Sequence, residues 1–353
     1  MKEVLRMKKR VCCLALLAGL LAGQAGAWYY DLPSEWARDE VRAAEDSALV
    51  PNELTVGYSL GMPFYTTKGG GITRYAFSEM LGRLIALSQK TDPGTLAARQ
   101  REAGKTASFS DYAPDDAVFL ACAFGLVEGQ PGGAFQPGGA LTREQAAKIL
   151  TLAAEAVQPG TYQAGGDAPL ALADADAVSP WARGYVAYAL QSGLMKGVGE
   201  GRFDPQGGLT IEQGTVLAYR LADRLGLSGV VPAGANSWMW EYGLDRTYFA
   251  AHEDAYGVCY TGSKGGPIKR VEVTEAQVNG LPASIAPADG YQFPGALNVG
   301  AALVHEPLKV GKMYEFSLKL KLYPAGGGDP IEVDDQFTYL CGKYCTYPDD
   351  NYY

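Results

Sequence analysis

The sequence predicts a multidomain protein in which an all-α module of three helix-turn-helix repeats precedes an all-β, sandwich-like domain. Two observations support this prediction: an internal repeat with an offset of 68 residues, and a change from helical to alternating hydrophobic periodicity after residue 237. The chain has 353 residues, of which 47% are hydrophobic and 20% are charged, so it can bury more than one core.

Residues 1–27 have the pattern of a secretory signal peptide. Three basic residues at 8–10 precede the apolar run 11–21, and small residues at 25–27 provide a cleavage site. The apolar run is too short to cross a bilayer core of about 30 Å, and no longer run follows it. We therefore expect an exported protein whose mature chain has no transmembrane segment.

The mode of attachment to the cell is predicted to be non-covalent. Cys12 and Cys13 lack the preceding small residues of a lipoprotein signal, and the last residues resemble no sorting signal.

Without the signal peptide, 25 basic and 38 acidic residues remain, giving a net charge of about −13. Nucleic acid is not an expected partner, because its phosphate backbone requires a basic surface.

The internal repeat is clearest between residues 128–142 and 196–210, which align without a gap. A more divergent first copy matches at Trp36-Ala-Arg, which aligns with Trp181-Ala-Arg, and at Thr73-Arg74, while residues 52–71 have no counterpart of the Gly-Pro turn. The coinciding residues of the two later copies are Gly125/Gly193, Leu126/Leu194, Gly129/Gly197, Phe135/Phe203, Pro137/Pro205, Gly139/Gly207 and Thr142/Thr210.

Each repeat is predicted to form two helices joined by a turn. Apolar residues at helical spacing predict first helices over 113–124 and 181–192, each followed by a glycine suited to a left-handed C-terminal residue. Thr142 and Thr210 stand three residues before a glutamine, which predicts a capping box at each second helix. Thr73 is followed at that distance by Ala76, so half of the cap is expected.

These motifs resemble the S-layer-homology family. The matching elements are the opening Phe109-Ser-Asp111, the Trp-Ala pairs, the Gly-x-Phe-x-Pro turns and Thr142-Arg143-Glu144. The resemblance covers residues 28–227, with a divergent repeat at 28–90 and further repeats at 109–157 and 170–227. It implies a pseudo-threefold helical module that binds secondary cell-wall polysaccharide, often with pyruvylated sugars, in grooves between repeats, on a secreted protein of the bacterial cell wall or S-layer.

Arg74 and Arg143 are the principal candidates for contact with the polysaccharide. An arginine in the first helical turn lies where free N–H groups and the helix dipole favour an anion, and its planar group matches a carboxylate. Ile211 replaces this arginine in the third repeat, so we expect two competent grooves. Alternatively, the divergence of the repeats leaves a scaffold without wall binding. The further candidates are Thr73, Thr142, Glu144, Trp36, Trp181 and Asp111.

Other roles are open for several of these residues. An arginine at a helix start is commonly a solvated residue or part of an ion pair. Trp36 and Trp181 are expected as core anchors between repeats rather than as sugar platforms. Asp111 and Asp174 are expected to cap the first helices.

The sequence offers little material for catalysis, so we expect no enzyme, cofactor or metal site. The only histidines, His252 and His305, lie in no catalytic motif. The alternative is a wall-anchored carbohydrate-active enzyme whose paired carboxylates lie in the C-terminal domain. In an exported protein a disulfide among Cys259, Cys341 and Cys345 is possible, and these cysteines could instead hold zinc with His252.

The C-terminal domain is predicted to begin after a Gly- and Pro-rich linker at 228–237 and to span residues 238–353. Strands are expected at 256–260, 268–273, 296–304, 313–322 and 336–340, with alternate residues of the fourth forming one apolar face. The segment 308–316 resembles immunoglobulin-like and fibronectin-type sandwiches at a tyrosine corner, with Tyr314 as the tyrosine. The resemblance implies an adhesive or spacer module, and leaves open whether a surface lattice, a host or a matrix component is its partner.

Overall fold

The structure is a computed structural model that describes the following residues: 33–51, 54, 71–162, 170–227, 230–252, 255–262, 265–287, 297–305, 308–309 and 311–341. The predicted signal peptide and the divergent segment 55–70 lie outside this set. Within it, no helix combines the length and apolar character that a membrane crossing requires.

A helical part, residues 33–227, is followed by a β part, residues 238–341, which contains sheets. The α-helices are α1 (Arg38–Asp46), α2 (Arg74–Ser88), α3 (Pro93–Glu102), α4 (Asp116–Ala123), α5 (Arg143–Val157), α6 (Arg183–Gln191), α7 (Ile211–Arg224) and α8 (Trp238–Glu241). We call α1 with α2 the first unit, α4 with α5 the second unit, and α6 with α7 the third unit.

The helix caps confirm the local predictions. Thr142 and Thr210 each close a complete capping box with the glutamine three residues later. Thr73 accepts a hydrogen bond from the backbone of Ala76 and lacks the reciprocal bond. Gly125 and Gly193, which follow the first helices of the second and third units, have positive φ angles of 77° and 72°.

The segments that precede the three second helices meet in the interior of the helical part. The backbone N–H of Ile72 donates to Leu209 O (2.8 Å), and that of Leu141 donates to Ile72 O (3.2 Å). All three side chains are buried in one continuous core. Residues more than 60 positions apart are thereby held together by backbone hydrogen bonds as well as by apolar packing.

The prediction missed α3, which lies between the first and second units. Asp92 caps it by accepting a hydrogen bond from Thr95 N (2.7 Å), and Pro93 occupies its first turn. Both residues are typical of helix starts, so the local sequence does contain the signal.

Among its described residues, the β part forms two four-stranded antiparallel sheets, ordered β1-β2-β6-β5 and β4-β3-β7-β8 by the strand ranges given below. The five predicted strands correspond to β2, β3, β6, β7 and β8, with residue 296 outside the described residues, whereas β1, β4 and β5 were not predicted. The strands are β1 (Leu244–His252), β2 (Ala255–Gly262), β3 (Ile268–Val278), β4 (Leu281–Pro282), β5 (Ser284–Pro287), β6 (Leu297–His305), β7 (Met313–Pro324) and β8 (Ile331–Leu340).

The apolar residues of β7 form the core side of their sheet, as the alternating pattern predicts. Phe316, Leu318, Leu320 and Leu322 are at most 3% exposed. The hydroxyl of Tyr314 accepts a hydrogen bond from the backbone N–H of Lys309 (2.8 Å), which ties the start of β7 to the preceding turn.

A buried polar cluster joins the β part to the first unit. The guanidinium of Arg246 on β1 contacts the carboxylates of Asp46 on α1 and Asp335 on β8, and the three side chains are at most 1% exposed. Asn236 donates from Nδ2 to Asp46 (2.6 Å) and to Gln336 O (2.7 Å). Residues 230–237, predicted as a linker, therefore include a side chain packed between the two parts.

Further polar contacts join the helical part to the residues that follow it. Lys312 on the β part pairs with Asp92 at the start of α3 (3.0 Å). Ser47, directly after α1, bridges to Thr338 on β8 and accepts a hydrogen bond at Oγ from Val231 N (2.7 Å).

Candidate ligand-binding site

Arg143, the first residue of α5, is turned inward. Its Nε donates to Phe203 O and its second terminal nitrogen to Lys196 O, both at 2.6 Å, and the guanidinium lies 4.8 Å from the centre of the Phe203 ring. The side chain is 8% exposed, and this burial lowers the pKa of Arg143. Carbonyl groups of the third unit thus engage two of its three nitrogens, and its role as a ligand contact stays a prediction.

Arg74, its counterpart at the start of α2, is half-buried. One terminal nitrogen donates to Glu128 O (2.5 Å), and the guanidinium lies 5.1 Å from the centre of the Phe135 ring. Burial lowers the pKa of Arg74, and its buried Nε has no hydrogen-bond partner among the described residues. Arg74 therefore makes one hydrogen bond to a carbonyl of the next unit where Arg143 makes two.

A chain of contacts leads from Glu128, whose carbonyl Arg74 binds, to Lys148 and Trp181. Lys148 on α5 pairs through Nζ with Glu128 (3.0 Å), and the same nitrogen lies 5.9 Å from the centre of the Trp181 ring. Trp181 is 49% exposed. We call Arg74, Glu128, Lys148 and Trp181 the Trp181 surface; its residues come from all three units.

Trp36 holds the corresponding place before α1 and is 55% exposed. Both tryptophans are thus surface residues, which corrects their expected role as core anchors. The residue that corresponds to Lys148 in the third unit is Val216, which is buried. The two exposed tryptophans therefore differ in the charge that the neighbouring helix can supply.

The remaining candidates at the second helices are engaged within the protein. The side chains of Thr73 and Thr142 accept the capping hydrogen bonds of α2 and α5. Glu144, which is 3% exposed, accepts hydrogen bonds from Ser179 and from Gln206. The threonines thus cap their own helices, whereas Glu144 joins the second unit to the third. A carboxylate or hydroxyl that already accepts hydrogen bonds has less capacity for a ligand.

Asp111 and Asp174 bind the turns rather than cap the first helices. Asp111 accepts hydrogen bonds from the backbone N–H groups of Phe135 (2.7 Å) and Gln136 (2.8 Å), which lower the pKa of Asp111. Asp174 makes the corresponding bonds in the third unit. The capping of α4 falls to Asp115 instead, which was not predicted.

The start of α7, the second helix of the third unit, has no arginine, as the sequence shows. Ile211 begins α7 and is 7% exposed, in continuity with the apolar core.

No cluster of three potential metal ligands occurs in the described part of the chain. Cys259 and Cys341 are both buried, and burial raises the pKa of Cys259 to about 12. Cys345 lies outside the described residues, so a disulfide among the three cysteines stays a prediction.

Sequence reasoning missed Glu128 and Lys148. In the alignment of the two later repeats, they stand opposite Lys196 and Val216, so the repeat pattern draws attention away from them. A search for charged residues that differ between otherwise matching repeats would have found them.

Comparison with known proteins identifies the type of the second and third units. A surface-layer 125 kDa protein of Lysinibacillus sphaericus is 30% identical over 135 residues, which are 36% of this chain and 11% of that protein. An amylopullulanase of Thermoanaerobacterium thermosulfurigenes is 25% identical over 202 residues, which are 56% of this chain and 10% of the enzyme. The chain thus spans about a tenth of the length of these relatives. Residues 108–147 and 171–210 match the S-layer homology domain, so the helical part contains two segments of this type.

Proposed function

We propose that this protein is anchored non-covalently to cell-wall polysaccharide at the bacterial surface by its helical part, and that it displays the β part as a binding or spacer module. The two S-layer homology segments support anchoring, because domains of this type bind cell-wall polysaccharide. We further propose that the first unit is a third, divergent repeat and that the three units group about one axis, supported by the backbone contacts of Ile72 with Leu141 and Leu209.

The observation that carries the proposal is the Trp181 surface. It places the Trp181 ring 5.9 Å from Lys148 Nζ, and Glu128, which pairs with Lys148, accepts a hydrogen bond from Arg74 at its carbonyl. The aromatic ring can contact the apolar face of a sugar, while the cations attract a carboxylate. The proposed ligand is therefore an acidic wall polysaccharide, for which a pyruvylated sugar would supply the carboxylate.

The proposal assigns one principal binding surface instead of the two grooves expected from the arginines. At the interface of the second and third units, Arg143 holds the protein backbone, and Val216 replaces the lysine. Trp36 remains exposed there but lacks a corresponding lysine on α7.

Sedimentation of the full chain with purified walls tests the proposal. We expect binding to intact walls, loss of binding when the polysaccharide has been stripped from them, and at least tenfold weaker binding for Arg74→Ala combined with Lys148→Ala. Arg270→Ala removes an exposed charge from the β part and serves as the matched control. Equal binding to stripped walls, or unchanged binding by the double variant, would contradict the proposal.

A second candidate function, a wall-anchored carbohydrate-active enzyme, is favoured by the similarity to an amylopullulanase. We propose a non-enzymatic role, because that similarity involves a tenth of the enzyme and the buried acids Asp46 and Asp335 are bridged by Arg246. Release of reducing sugar from wall polysaccharide or pullulan by the purified chain would support the enzyme instead.

A further inference from the structure

A row of aromatic side chains extends from Trp181 along α6. Tyr185 and Tyr188 follow Trp181 at positions i+4 and i+7, which lie on one face of a helix over a length of roughly 10 Å. Tyr162, from the segment after α5, stacks on Tyr185 with 5.3 Å between ring centres and meets Tyr188 edge-on at 5.5 Å. We call Trp181, Tyr185, Tyr188 and Tyr162 the aromatic row.

Tyr185 and Tyr188 are half-buried and pack against the helical core with part of each side chain, and their counterparts in the first unit are different residues. In the first unit, the residues that correspond to Tyr185 and Tyr188 are Glu40 and Ala43. Glu40 pairs with Arg220 on α7 (2.7 Å), and Ala43 is buried. This helix face therefore carries an ion pair in the first unit and half-buried tyrosines in the third unit.

The position of Tyr162 does not depend on the other tyrosines alone. Glu155 on α5 accepts hydrogen bonds from the backbone N–H groups of Gly160 and Tyr162, both at 2.8 Å. This carboxylate fixes the turn that brings the ring of Tyr162 onto α6. The turn is therefore held by polar contacts, and the rings add a partly exposed aromatic surface.

We propose that the aromatic row is a second subsite that binds uncharged sugar rings of the same polysaccharide chain whose acidic residue lies at Arg74 and Lys148. The proposal rests on the proposed function. Apolar C–H faces of sugar rings pack on aromatic rings, and tyrosine hydroxyls can bind sugar hydroxyls. Because Trp181 belongs to both the Trp181 surface and the aromatic row, one extended chain can occupy both.

The experiment compares binding of wall polysaccharide fragments of one and of several repeating units, measured by calorimetry on the full chain. We expect Tyr162→Ala and Tyr185→Ala to weaken binding of the longer fragments roughly three- to tenfold and to leave the shortest acidic fragment unaffected. Tyr185→Phe retains the ring and should retain most of the affinity. Tyr323→Ala, which removes a half-buried tyrosine of the β part, is the matched control.

Three outcomes would overturn the inference. The first is that both alanine variants bind all fragments with wild-type affinity while Arg74→Ala still loses binding. In that case the aromatic row is not a subsite, and the proposed wall anchoring still stands. The second is equal weakening for all fragment lengths together with a lower melting temperature, which marks a structural role. The third is absence of binding by the wild-type chain, in which case the proposed function fails as well.

Discussion

The carboxylate of Glu144 in the second unit accepts hydrogen bonds from both the backbone N–H (3.0 Å) and the hydroxyl (2.7 Å) of Ser179 in the third unit. Glu212 makes the same pair of bonds with Ser34, at 2.7 Å and 3.0 Å. Both glutamates are at most 5% exposed. The same carboxylate contact thus fixes the entry of the third unit against the second and the entry of the first against the third.

Glu144→Ala is expected to lower the free energy of unfolding by about 1.5–3 kcal/mol, because hydrogen bonds to a buried charge are lost. Urea unfolding of Glu144→Ala, Ser179→Ala and the double variant measures the coupling between the two side chains. Strictly additive effects of the two single changes would show that the contact contributes nothing specific.

Arg143→Ala is expected to act on stability more than on wall binding. Two carbonyl groups that now receive charged hydrogen bonds would lose them, at a cost of about 1.5–3 kcal/mol each. Arg74→Ala removes one such bond and should destabilise less while weakening wall binding more. Unfolding and sedimentation measured on both variants separate the two roles, and a more stable Arg143→Ala than Arg74→Ala would refute this ranking.

Arg246→Ala is expected to destabilise the protein by about 3–5 kcal/mol, because it leaves two buried carboxylates without their cation. Calorimetry should show that the helical and β parts no longer unfold in one transition. Lys312→Ala breaks a pair whose lysine is 45% exposed, so it should cost at most about 1 kcal/mol and is the matched control. A single transition of wild-type stability in Arg246→Ala would count against the coupling.

Asp111 is expected to contribute to the loss of stability in acid. The N–H groups of Phe135 and Gln136 lower its pKa in the folded state below the ordinary 3.8. The contribution is therefore present above the unfolded-state pKa and is lost as pH falls through the folded-state pKa. Asp111→Asn should be less stable than wild type at pH 7, and the difference should shrink below about pH 4. A difference that stays constant from pH 7 to pH 2 would exclude this cause.

The features that could be predicted from the sequence are those set by residues close together in the chain. The caps at Thr142 and Thr210 need only a partner three residues away, and the glycines after α4 and α6 need only their own conformational freedom. The apolar face of β7 follows from alternation along one strand.

The candidate site was predicted only in part because its chemistry depends on distant partners. In the sequence, Arg74 and Arg143 hold the same position after a capping threonine. The carbonyls that Arg143 binds, however, belong to residues 53 and 60 positions away. Repeat alignment favours residues that recur, so it overlooks Lys148 and Glu128, which do not. Likewise, no local pattern joins Arg246 to Asp46, which lies 200 positions earlier.

The buried cluster around Arg246 gives the helical part and the β part a mechanical connection besides the backbone. Asp335 on β8, Arg246 on β1 and Asp46 on α1 connect these elements directly. A force on β8 is therefore transmitted to α1 through this contact as well as through the backbone of residues 230–237. Ser47 and Thr338 bridge the same two elements next to this cluster. A force that pulls the two parts apart is therefore resisted by side-chain contacts that act in parallel with the backbone connection.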